Sequence, residues 1–185
     1  MSDCWLQTFS GVQFFPLSPR VEDIRIEDIA HALSNQCRFS GHVKQFYSVA
    51  EHSVRIARVL RNQGCKNEVV LWGLLHDASE AYLVDLPRPL KRTRELGDAY
   101  QKIEQNLMKA VCQRFGLPIF QPHCVSEADH RILITEKRDL LGPAPAPWSE
   151  EQGVAIEPYV WKIYPWTPDQ AEAAFLEAFG WYSHA

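Results

Sequence analysis

Residues 74–91 read LLHDASEAYLVDLPRPLK. An apolar run enters the stretch, His76-Asp77 follows at once, and Pro87 and Pro89 close it. An imidazole beside a carboxylate offers two metal-compatible donors in sequence. Neighbouring helical residues differ by ~100° around the axis, so both reach one ion only near a helix end or distortion. The competing reading is a buried, hydrogen-bonded histidine with Asp77 as its partner, and isolated pairs of this kind are common. The company the pair keeps favours the metal.

Upstream, Ser48 followed by Glu51 has the capping-box pattern. The predicted helix carries Val49, His52, Ile56, Val59 and Leu60 on one side. A turn around Gly64 leads to a helix predicted over 68–83, apolar nearly all round at Val69 to Leu75 and therefore central. Two antiparallel helices joined by a short turn bring His52 beside His76. Asp129, on an amphipathic stretch predicted helical over 125–141, supplies a fourth donor. Glu80 follows His76 by four residues, on the same helical face, where a carboxylate can take or orient a proton of water.

Further candidates surround this set. Asp85 is either a turn aspartate or a catalytic group near the substrate, a hydroxyl acceptor or an acid. Arg38 and Lys91 suit phosphate, the first by bidentate hydrogen bonds and the second as a point charge. Ordinary surface solvation is the alternative for both. His42 adjoins Gly41 in a loop, where the backbone can approach a ligand.

The rest of the chain reads as a mainly helical single domain over 1–185. Residues 1–21 form an irregular arm or short hairpin, and core helices span about 24–141. They include one over 24–35 and one over 95–115 that stops at Gly116-Leu117-Pro118. Residues 38–46 read as a loop, broken at Ser40-Gly41. A proline-rich loop over 142–166 is expected to hold a short strand or hairpin around 159–164. Thr167 as N-cap and Pro168 at the first helical position start a final helix over 167–182. Hydrophobic residues make up 46% and charged residues 23%, the balance of a globular core. A formal charge of −4 argues against a nucleic-acid polymer as partner. No apolar run approaches the ~20 residues of a membrane span. Five cysteines without a CxxC pair, and a start without a signal-peptide pattern, lead to a cytoplasmic expectation.

In this order, His52, His76-Asp77 and Asp129 match the H…HD…D pattern of the HD-domain phosphohydrolases. The sequence VAEHS and the block HDASEAYLVDLPRPLK extend the match, which covers roughly residues 38–140. Within that superfamily the chain resembles the YfbR-like 5′-deoxynucleotidases, which place an arginine-aromatic dipeptide before the first ligand. Arg38-Phe39 stands there, with phenylalanine where that group has tryptophan. The loop RFSGHVKQFYSVAEHS also resembles DatZ-type dATP triphosphohydrolases. The resemblance implies an all-α HD-domain helical bundle with a divalent ion (Co, Mn, Zn, Fe or Mg) at His52, His76, Asp77 and Asp129. It implies Glu80 as activator of water, Arg38 and Asp85 as substrate contacts, and a homo-oligomer. The expected activity is a 5′-deoxynucleotidase, with a dNTP triphosphohydrolase as first alternative. The second alternative, a catalytically silent nucleotide-binding module, predicts a lost ligand or water activator, and neither is lost here.

Overall fold

The computed structural model describes residues 4–148 and 156–183. An antiparallel hairpin of β1 (Leu6–Gln7) and β2 (Gln13–Phe14) opens the chain, in register Leu6↔Phe14 and Gln7↔Gln13. Helices follow: α1 (Ile26–Asn35), α2 (Val49–Asn62), α3 (Asn67–Leu75), α4 (Glu80–Leu83), α5 (Arg88–Lys91), α6 (Arg94–Phe115), α7 (His123–Leu140) and α8 (Pro168–Ser183). This is the mainly α bundle that the apolar periodicity predicts. The arm does form a hairpin, anchored by fully buried Phe14, which stacks on Tyr82 with ring centroids 4.0 Å apart.

The pair α2–α3 is the frame of the molecule. Ser48 Oγ accepts the Glu51 N–H at 3.0 Å, so the predicted cap forms. The Glu51 carboxylate is engaged elsewhere, accepting hydrogen bonds from the Arg55 guanidinium and, at 2.8 Å, from the Trp166 N–H. Gly64, at φ 78°, makes the turn between the helices. Their approach requires Gly73: a Cβ there would collide with the Leu60 side chain and lie 3.2 Å from Ile56 Cγ2. Residues 70–75 of α3 are all buried, as its all-round apolarity predicts. Against this pair α8 packs across α1, α2 and α3, while α7 packs on α2.

The helix predicted over 68–83 is interrupted. α3 ends at Leu75, and the chain continues with i→i+3 bonds: Ala78 N–H to Leu75 O at 2.9 Å and Glu80 N–H to Asp77 O at 2.9 Å. α4 ends at Val84, whose φ of 77° is unusual for a β-branched residue. Tertiary partners hold this break. The Gln36 amide donates to Glu80 O at 2.9 Å and accepts from Asp85 N–H at 3.2 Å, and Tyr100 Oη donates to Val84 O at 2.6 Å. Backbone groups that a continuous helix would pair internally are satisfied from outside it.

The segment after α7 also differs from expectation. Among the described residues of 142–166 no strand forms, and residues 149–155 lie outside the described ones. Side chains of α7 take the backbone groups that a sheet partner would have used. Thr135 Oγ1 accepts from Tyr159 N–H at 3.0 Å, and Asp139 Oδ2 accepts from Ile163 N–H at 2.9 Å. Arg138 donates to the carbonyls of Tyr159 and Trp161. The final helix starts as predicted, with a reciprocal capping box: Gln170 N–H to Thr167 Oγ1 at 3.3 Å and Thr167 N–H to Gln170 Oε1 at 3.0 Å. Among the described residues no helix is long and apolar enough to cross a membrane.

Candidate metal centre

His52 faces the core from the second turn of α2 and is fully buried. His76 caps the C-terminus of α3, and Asp77 follows in the tight turn. Asp129 lies on the second turn of α7. One donor atom each from His52, His76 and Asp129 lies within 4.8 Å of the others, and this group can hold a metal ion. His52 Nε2 is 3.3 Å from His76 Nε2 and 3.2 Å from Asp129 Oδ1. Asp77 Oδ2 lies 3.1 Å from His76 Nε2 and 3.7 Å from His52 Nε2. The break after Leu75 is what lets adjacent His76 and Asp77 converge. A continuous helix would separate them by ~100°.

The donor set fits a divalent ion on its hydrogen bonding. His52 Nδ1 is 2.6 Å from Glu136 Oε1, and His76 Nδ1 is 2.9 Å from the Gly73 carbonyl oxygen. Both rings therefore donate through Nδ1 and present Nε2 to the cluster, the outer-shell arrangement of metal-bound histidines. Two ligand atoms at ~2.1 Å from one ion, 90–109° apart, lie roughly 3.0–3.4 Å from each other. The His52–His76 separation of 3.3 Å matches that spacing.

Electrostatics supports the same reading. Burial works against charge on the Asp77 carboxyl, but His76, His52 and Arg38 together hold it well below the usual carboxylate range. Burial likewise opposes ionisation of Asp129, but its hydrogen bond with His52 and the charges of His52 and His76 together hold its carboxyl below the usual range. Burial and Arg38 disfavour a charged His52, yet Glu136 and Asp129 prevail and push its pKa up to about 9. In the ion-free chain the His52 proton balances carboxylates that a cation would otherwise neutralise.

A cavity of about 320 Å³ opens on this cluster, lined among others by Arg38, His76, Asp77, Glu80, Asp85 and Lys91. Glu80 does not share a continuous helical face with His76, because the helix breaks between them, but it lines this cavity from the start of α4. Burial, with Asp77 and Asp85 nearby, raises its carboxyl well above the ordinary value, against the pull of Lys91. Lys91 Nζ lies 3.1 Å from Glu80 Oε1 and 3.0 Å from Glu104 Oε1, while Glu80 Oε2 is buried without a partner.

Arg38, nearly buried, donates to Glu136 Oε2 through Nε at 3.3 Å and Nη2 at 3.1 Å, and its Nη1 stands 3.6 Å from Asp77 Oδ2. A second cavity of about 670 Å³ adjoins the first and shares Arg38, Asp85 and Arg88 with it. Its other walls are more apolar, with Phe39, His42, Pro87, Leu133 and Trp148 among them. Phe39 and Ser40 adopt left-handed φ values of 54° and 50°, a costly conformation for such residues. The Phe39 ring centroid lies 6.1 Å from that of Trp148. His42 and Phe39 line this second cavity and not the one that opens on the His52, His76 and Asp129 cluster.

Residues of these cavities and their supports that the sequence did not single out as site residues include Glu136, Arg88, Glu104, Gln36 and Trp148. Glu136 follows Asp129 by seven positions on one helix, a two-turn spacing that puts both on one face. That signal was in the sequence. Arg88, whose Nη2 is 3.2 Å from Asp129 Oδ2, carries no comparable pattern. Gln36 and Trp148 take their positions from tertiary contacts alone.

No protein-family model matches the chain. It is 37% identical over 175 residues to the uncharacterized protein YfdR of Escherichia coli (strain K12), covering 95% of this chain and 93% of that one. The chain belongs to the YfdR family. A second similar protein, uncharacterized, from Rhodobacter capsulatus, is 37% identical over 132 residues, 69% of this chain and 66% of its own. Beyond these, a 5′-deoxynucleotidase of Photobacterium profundum is 29% identical over 105 residues, 46% of this chain and 54% of its own. A His-His-Asp cluster in this YfdR-family chain and similarity to a 5′-deoxynucleotidase both point to hydrolase chemistry.

Proposed function

We propose that the chain is an HD-type, divalent-cation-dependent phosphohydrolase that removes phosphate from deoxynucleoside 5′-monophosphates. The observation that carries this reading is the convergence of His52, His76 and Asp129 with both histidine Nδ1 atoms already engaged. Asp77 completes a four-donor set. His52, His76, Asp77 and Asp129 would hold a divalent cation, which when bound would supply Lewis acidity to a phosphoryl oxygen and lower the pKa of water.

The protein's own groups do the rest. Arg38 Nη1 and Arg88 stand beside the acidic donors and offset charge that builds on the phosphoryl oxygens. Glu80, with one oxygen on Lys91 and the other unpartnered, receives and holds the proton of the attacking water. Cleavage of the bond between phosphorus and the 5′-oxygen then releases inorganic phosphate and the nucleoside, whose 5′-oxygen takes up, by way of solvent, the proton that Glu80 gives back. Asp85 lies between the two cavities, where a carboxylate can accept from a sugar hydroxyl. The apolar cavity with Phe39, His42 and Trp148 is suited to the base and sugar.

Charge favours the monophosphate over the triphosphate alternative. The metal-side cavity is lined by five carboxyl groups (Asp77, Glu80, Asp85, Glu104, Asp129) and three basic side chains (Arg38, Arg88, Lys91). The sum is 3 − 5 = −2 with all ionised, which a divalent cation balances. A monophosphate brings about −2 at pH 7 and a triphosphate roughly twice that, so the monophosphate leaves the smaller uncompensated charge. The test is a panel of dNMPs and dNTPs with Co, Mn, Mg or Zn, resolving phosphate, pyrophosphate and triphosphate. Free phosphate from dNMPs supports the proposal. Triphosphate from a dNTP would replace it with the alternative, and tight nucleotide binding without turnover would favour a silent module.

A further inference from the structure

Glu136 was not among the residues that the sequence singled out, and no part of the proposed reaction uses it. It is fully buried, two turns after Asp129 on α7. Its two oxygens have separate tasks. Oε1 accepts from His52 Nδ1 at 2.6 Å, and Oε2 accepts from Arg38 Nε at 3.3 Å and Nη2 at 3.1 Å. One carboxylate thus joins three parts of the chain: α2, the turn at Arg38–Gly41 and α7.

We infer that Glu136 is a positioning residue that aligns the cation-facing histidine and the phosphate-facing arginine together, an inference that rests on the metal centre proposed above. Through Oε1 it fixes the His52 tautomer, so that Nε2 rather than Nδ1 faces His76 and Asp129. Through Oε2 it holds one edge of the Arg38 guanidinium and leaves Nη1 on the Asp77 side, 3.6 Å from Oδ2. Its negative charge offsets the buried guanidinium, which would otherwise be costly to keep dry. Loss of the carboxylate should therefore disturb ion and phosphate binding together.

The chemistry of glutamine makes the test sharp. Glu136→Gln keeps the side-chain volume but has one acceptor oxygen and one donor nitrogen. It can serve the His52 donor or the Arg38 donors, not both. Glu136→Asp keeps both acceptors on a shorter stem and serves as the conservative variant. Cobalt affinity should be measured by titration without nucleotide, alongside circular dichroism and steady-state kinetics on a dNMP. In Glu136→Gln we expect cobalt affinity to fall by about 10- to 100-fold, the usual effect of losing an outer-shell partner. KM should rise as well, and Glu136→Asp should recover part of both. Arg38→Ala should cost less in the Glu136→Gln background than in the parent, because the two share one network.

Unchanged cobalt affinity in a folded Glu136→Gln variant would overturn the inference, as would strictly additive effects of the two substitutions. If Glu136→Gln does not fold, the parent decides: imidazole 15N shifts of the zinc-loaded chain that put the His52 proton on Nδ1 support the inference, and shifts that put it on Nε2 overturn it. Should the parent bind cobalt but hydrolyse no nucleotide, the proposed activity fails while the cobalt titration still decides the role of Glu136. A parent that binds no cobalt, zinc or manganese overturns both.

Discussion

Glu80 and His52 show how burial assigns different work to titratable side chains a few ångströms apart. Glu80 is nearly buried, with one oxygen on Lys91 and one unpartnered. Glu80→Gln should leave cobalt affinity near that of the parent and lower kcat by about 10²- to 10⁴-fold, the range for losing a general acid–base group. Parental kcat in that variant would remove Glu80 from the reaction. His52 gives a pH signature. Its pKa is raised to about 9 in the folded, ion-free chain from an ordinary 6.5. A raised histidine pKa stabilises the fold fully below about 6.5, and that contribution is lost as pH rises through about 9. The ion-free chain should therefore lose thermal stability from this group between those limits. Ion binding at pH 7.5 should release a proton, detectable by calorimetry in buffers of different ionisation enthalpy. Heat independent of the buffer would contradict the His52 assignment.

At the scale of elements, the metal donors depend on how closely α2 and α3 pack. Gly73 sits where a Cβ would strike the buried Leu60 side chain, and its carbonyl holds His76 Nδ1. Gly73→Ala should destabilise the fold by about 1–3 kcal/mol, the cost of overpacking a close contact. It should also weaken cobalt binding, because it shifts the helices that carry His52 and His76. Thermal melting with and without cobalt tests both, and an unchanged melting temperature would mean that the helices have slack. The turn after Leu75 belongs to this scale too. Its residues have enough helix-forming character to read as one helix over 68–83, and periodicity alone gives no sign of the break. Gln36 and Tyr100, distant in sequence, capture the carbonyls of Glu80 and Val84.

The whole molecule gathers buried ionisable groups from α2, the His76–Asp77 turn, α4 and α7 around one point. Such a centre couples ion binding to folding, since an unfolded chain does not assemble the donors. An ion at a hundredfold excess over its Kd adds roughly 2.7 kcal/mol of stability. Chelation should then lower the melting temperature by several degrees in a chain of this length. The same melting temperature with and without chelator would argue against a bound ion.

Much of this arrangement was legible in the residues. The bundle followed from apolar periodicity, the start of α2 from Ser48 and the start of α8 from Thr167-Pro168. His52, His76 and Asp129, which the fold brings together, were marked out by residue type and order. Local sequence determines these because propensity, capping and helical faces are short-range properties. Other features waited for the tertiary structure. The break that lets His76 and Asp77 face one point is held by Gln36 and Tyr100. The segment at 156–166 stays strandless because side chains of α7 take its backbone groups. Glu136 gains its importance only when His52 and Arg38, 84 and 98 positions away, arrive at its two oxygens. Sequence carries the donors and the helices that bear them. Packing decides which backbone bonds are surrendered to side chains, and so where those donors point.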